Sequence, residues 1–109
     1  MTMSQVRAFA LALPEVNEEP HHHLSSFRVR GKIFVTVLPD EQTIRVFVGE
    51  DLREPALTRY PEFLEKLFWG KKAVGLGVAL ARAKPAAVES LIRAAWALKA
   101  PKSLQQQED

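Results

Sequence analysis

The stretch Phe27–Leu38, Phe-Arg-Val-Arg-Gly-Lys-Ile-Phe-Val-Thr-Val-Leu, restricts this chain more than any other. Apolar and polar residues alternate from Phe27 to Arg30, Gly31 interrupts them, and β-branched and aromatic residues fill Ile33 to Val37. That pattern predicts a β-hairpin. Its register can be argued, because a one-residue slip moves every side chain to the opposite face. A two-residue loop would put Phe27 and Val29 with Lys32, Phe34 and Thr36. A three-residue loop of Arg30, Gly31 and Lys32 instead pairs Val29 with Ile33 and Phe27 with Val35. Phe27, Val29, Ile33, Val35 and Val37 then share one apolar face, so this register is expected. The other face carries Ser26, Arg28, Phe34 and Thr36, with Arg30 and Lys32 at the tip.

The remaining elements arrange themselves around that hairpin. Thr2 and Gln5 have the form of a capping box, and Val6, Phe9, Ala10 and Leu13 follow at helical spacing until Pro14. No periodicity survives from Glu15 to Ser25, which reads as a crossing loop. Strict alternation over Thr43–Val48 predicts a third strand, with Ile44, Val46 and Val48 inward and Thr43, Arg45 and Phe47 outward. Glu50–Tyr60 has short helical character interrupted by Pro55, and an edge strand is expected near Phe68 and Trp69. After the turn at Gly70, Lys71 and Lys72, bulky Val74, Leu76, Val78 and Leu80 alternate with Gly75, Gly77, Ala79 and Ala81. Glycines inside a strand point to a neighbour lying across them. Pro85 opens a last helix whose stripe is Val88, Leu91, Ile92, Ala95 and Lys99, flanked by Trp96 and Leu98 and ending at Ala100 and Pro101, and Lys102–Asp109 reads as a polar tail.

These elements predict an α+β two-layer sandwich: an antiparallel sheet of about five strands, with the N- and C-terminal helices on one face. At 109 residues the chain forms one domain, assigned to residues 1–104, with a tail over 105–109. It contains no cysteine, which excludes disulfides, thiolate metal sites and cysteine nucleophiles. No apolar run approaches a membrane span, and no signal-peptide core opens the chain, so a cytoplasmic monomer without membrane contact is expected. The formal charge of +2 permits an anionic partner without demanding one.

Leu13-Pro14-Glu15, the histidine-containing loop, Phe27-Arg28-Val29, Gly31-Lys32-Ile33-Phe34, Trp69-Gly70-Lys71, and Ala100-Pro101-Lys102 with Leu104 together resemble the MmcQ/YjbR family over nearly the whole chain. The resemblance implies a frataxin-like (CyaY-like) sandwich, in agreement with the layers above, and the DNA-binding role usually attached to the family. Where members often carry a tryptophan, Ala73 and Val74 stand here. Frataxin-type iron handling does not carry over, because it uses an acidic first helix, whereas residues 2–13 hold no carboxylate and do hold Arg7.

The expected site is the outer sheet face and hairpin tip: Arg28, Arg30, Lys32, Phe34, Arg45 and Phe47, extended by Lys71 and Lys72. Cationic groups neutralise phosphates and interleaved rings stack on unpaired bases, so the expected partner is DNA, bound weakly and salt-sensitively. The alternatives are a protein partner on the same face, or a solvated face whose arginine stems cover the rings. His21 and His23 beside Glu18 and Glu19 are weak candidates for metal ligands and lack a third donor, so no cofactor is expected. Gly75-Leu76-Gly77 is not a dinucleotide fingerprint, and no nucleophile, base or carboxylate pair suggests catalysis. Trp69 and Trp96 are both expected in the core.

Overall fold

The computed structural model describes residues 1–108, and Asp109 lies outside the described residues. The chain runs α1 (Met3–Ala12), β1 (Val16–His21), β2 (Leu24–Val29), β3 (Lys32–Val37), β4 (Thr43–Val46), α2 (Glu50–Arg59), β5 (Leu64–Trp69) and β6 (Lys72–Ala79). A 3-10 turn (Leu80–Arg82), α3 (Pro85–Lys99) and α4 (Lys102–Glu108) follow. The strands form one antiparallel sheet in the order β1-β2-β3-β4-β6-β5. It has six strands rather than about five, because the expected loop over Glu15–Ser25 contains β1 and the start of β2. As an edge strand β1 needs only backbone pairing with β2, so its polar sequence Asn-Glu-Glu-Pro-His shows no apolar period.

One face of the sheet holds the core. Phe27, Val35, Val46 and Leu76 lie opposite one another across successive strands and are fully buried. α3 packs on β3 and β4 and against α1, bringing Val88, Leu91, Ile92, Ala95 and Trp96 onto that face. Each large apolar side chain so buried contributes about 1.5–3 kcal/mol. α1 is fixed at its start by the capping box, with the Gln5 N–H donating to Thr2 Oγ1 (3.2 Å) and the Thr2 N–H to Gln5 Oε1 (2.9 Å). Trp96 Nε1 donates to the Pro14 carbonyl at 3.1 Å, tying the last long helix to the turn after the first. The expected polar tail is helical over Lys102–Glu108, and Leu104 belongs to the core. α2 continues through Pro55 instead of breaking there.

The β2–β3 hairpin differs from the expected register. Its connection has two residues, Arg30 (φ 49°) and Gly31 (φ 80°), both left-handed as in a type I′ turn, so Lys32 pairs with Val29. Phe27 does pair with Val35, because a bulge at Phe34 absorbs the extra residue between that pair and Arg28 with Ile33. The bulge turns Phe34 into the core, fully buried, and leaves Ile33 half-buried beside Arg28.

Candidate functional site

Residues facing one another across strands share a face, and the outer row is Ser26, Thr36, Arg45, Gly77 and Glu65. Ser26 Oγ donates to the Glu19 carbonyl (2.7 Å) and accepts from Arg28 Nε (3.0 Å). Next to it, Thr36 is only 4% exposed, and its Oγ1 has no partner among the described residues. A buried hydroxyl without a protein partner is costly unless water or another group satisfies it.

Thr36 and Arg45 line a cleft of about 600 Å³. The cleft forms because β4 is short. Beyond Val46 the chain leaves through Phe47, Val48 and Gly49 into α2, while β6 continues past it to Lys72. Gly75 permits that departure, because a side chain there would collide with the Val46 carbonyl oxygen and the Phe47 Cα. Gly77 meets nothing closer than 3.9 Å, so only one of the two strand glycines is crossed by a neighbour.

On the other bank stands the β5–β6 hairpin. Its tip is Gly70 (φ 62°) and Lys71, and a bulge at Val74 lies between the pairs Leu67 with Gly75 and Phe68 with Ala73. Trp69, Lys72 and Val74 reach the cleft, where the Trp69 ring lies 5.4 Å from that of Phe47 at a 53° tilt. Trp69 is 62% exposed, so of the two tryptophans expected in the core only Trp96 is there. Ile33 and Leu24 supply apolar wall on the first hairpin's side, and Leu98, Lys99, Glu50 and Arg53 line the end toward the helices.

The structure therefore divides the expected site residues. Arg45, Phe47 and Lys72 share the cleft, and neither Arg45 nor Lys72 has an ion-pair partner among the described residues. Lys32 and Lys71 are exposed near the two hairpin tips and also unpaired among the described residues. Arg28 is held by Ser26 Oγ and, at 3.1 Å, by the Pro20 carbonyl. Arg30 makes a two-pronged pair with Glu15, both bonds 3.1 Å, and this guanidinium holds the Glu15 carboxyl below its ordinary value. Phe34 belongs to the core. Thr36, expected on the outer face though not among the site residues, also lines the cleft, and Trp69 and Arg53 join it without having been expected there. For Trp69 a signal existed: it stands beside Gly70-Lys71-Lys72, at a turn rather than inside an apolar run.

His21 lines the far edge of the cleft, while His22 (φ 57°) and His23 form an exposed two-residue turn. Among the described residues, no three histidines or carboxylates gather as a metal-holding group, so His21 and His23 gain no third ligand. None of the described helices is long and apolar enough to cross a membrane.

A six-stranded antiparallel sheet with long helices on one face, and a basic, aromatic cleft lined by sheet and helix residues where β4 stops, makes up a small α+β domain. The YjbR family model matches residues 11–98, and the chain belongs to that family. The fold is shared with the crystal structure of Deinococcus radiodurans protein DR2400, a DUF419 domain, at a TM-score of 0.76 and 17% identity over 97% of this chain and 86% of that one. None of the curated proteins matches the chain.

Proposed function

We propose that this domain binds nucleic acid weakly through the cleft face of its sheet, using unpaired strand and without reading its sequence. One observation carries the reading: Arg45 and Lys72, with no carboxylate partner among the described residues, flank the touching rings of Phe47 and Trp69. Free cations beside an exposed ring are what a phosphate backbone with unstacked bases requires. Lys71 at the adjacent tip and Lys32 on the opposite hairpin extend the positive surface along a strand's path.

Titrating a fluorescein-labelled oligothymidine by anisotropy at several salt concentrations tests it. Each phosphate neutralised contributes about −0.7 to the slope of log affinity against log salt. Arg45→Ala should weaken binding about tenfold and make the slope shallower by about that amount, whereas Arg30→Ala should change affinity less than about twofold, since its charge is already paired with Glu15. Absence of binding to single strand, duplex and RNA at low salt would sink the proposal.

A second reading is a protein partner on edge strand β5, where Phe68 is 52% and Trp69 62% exposed. Affinity for an apolar partner should respond little to salt.

A further inference from the structure

We infer that the cleft is a receptor for one nucleotide unit, with the flat base on Trp69 and its phosphate at the junction of Arg45 and Thr36. The inference deepens the nucleic-acid reading by naming what enters the cleft, and it rests on that reading for the source of the nucleotide. A surface that only tracked phosphates would need lysines and arginines on open sheet. Here there is also a half-open cleft of about 600 Å³, comparable in volume to small-ligand sites.

Its two ends differ in chemistry. Toward the β5–β6 hairpin, the tilt between Phe47 and Trp69 leaves a broad face of Trp69 uncovered, available to a second ring in offset stacking. Toward the sheet, Arg45 lies directly across the β3–β4 ladder from Thr36, so the two residues belong to the same wall of the cleft. An anionic oxygen there gains a charge-assisted bond from Arg45 and gives the Thr36 hydroxyl an acceptor once its rotamer turns outward. Lys72 and Lys71, both exposed and without ion-pair partners among the described residues, continue the positive surface beyond Trp69, and the rest of a strand would run along them. Ile33 and Val48 supply apolar walls that suit a base and not a second phosphate.

Three eight-unit oligomers of equal charge separate this receptor from a general stacking platform: all thymine, wholly abasic, and abasic with one central thymine. Restoring the single base should strengthen binding about tenfold over the abasic chain, as expected for one base on an aromatic ring. The remaining bases together should add less than about twofold. Trp69→Ala, at an exposed position, should abolish the single-base gain, and Thr36→Val should weaken the one-base oligomer about fivefold without altering the salt slope. Equal binding of all three oligomers would overturn the receptor while leaving phosphate binding intact, and affinity rising evenly with each added base would overturn it in favour of an extended platform. Failure of every oligomer, with thymidine monophosphate still shifting the Thr36 and Arg45 amide resonances, would keep the receptor and remove the strand reading. Failure of every oligomer and of the mononucleotide alike would remove both.

Discussion

The two hairpins that bank the cleft share a backbone plan and use it for opposite ends. Each has a two-residue tip with a left-handed glycine, Arg30-Gly31 in one and Gly70-Lys71 in the other, and each carries a bulge on its second strand at the third residue, Phe34 and Val74. In the β2–β3 hairpin the residue before the tip, Val29, is fully buried, the bulge drives Phe34 into the core, and the tip arginine is tied to Glu15. In the β5–β6 hairpin the residue before the tip is exposed Trp69, and the tip lysine is unpaired among the described residues. Sheet position makes the difference: β2 is flanked on both sides, by β1 and β3, whereas β5 is an edge strand with one neighbour, β6. One bulge therefore secures packing, and its counterpart presents a ring and a cation to solvent.

The sharpest way to break this comparison is to empty both hairpins of their rings. Phe34→Ala should cost about 3–5 kcal/mol in urea unfolding, whereas Trp69→Ala should cost less than about 1 kcal/mol. Similar losses would mean that the two bulges do the same job. A smaller effect tests the departure of β4. Gly75→Ala should destabilise by about 1–3 kcal/mol, because the Val46 backbone must retreat, while Gly77→Ala should leave the unfolding midpoint unchanged or slightly raised.

The smallest effect concerns the flank that only the first hairpin possesses. Glu18 on β1 accepts from Arg7 Nε (2.8 Å), Arg7 Nη2 (3.1 Å) and Ser25 Oγ (2.7 Å). The hydrogen bonds from Arg7, reinforced by Ser25 and the Arg7 charge against a modest cost of burial, hold its carboxyl below the ordinary value near 4.5. The folded state thus favours the ionised form. That contribution is complete above the unfolded carboxyl range and fades as pH falls through the lowered folded value. Glu18→Gln should cost about 1 kcal/mol at pH 7, and the difference from the parent should shrink as the solution is acidified toward pH 3. A gap constant with pH would show that Glu18 acts by shape alone.

Much of the architecture was legible in the residues. The capping box, the α3 stripe, the pairing of Phe27 with Val35 and the crossing at Gly75 all follow from local chemistry whose effects are short-ranged. β1 was hidden because an edge strand facing solvent needs no apolar alternation, and its Pro20 is tolerated there. Residue period alone does not reveal a bulge, so on sequence grounds pairing Phe27 with Val35 requires a longer loop, with Phe34 outward and Ile33 inward; the bulge at Phe34 reverses both placements. The cleft itself was illegible, since it depends on where β4 stops relative to β6, a property of the assembled sheet. Arg45, Phe47 and Lys72 were nevertheless recognisable as outward and basic or aromatic.

Two indoles in contrasting surroundings give this protein a pair of native optical reporters. Trp96, shielded and donating to Pro14, should emit toward the blue and respond to loss of the helix contacts, whereas water-washed Trp69 should emit toward the red and respond to whatever covers it. A single emission spectrum can thereby follow unfolding and occupancy separately, with no dye attached.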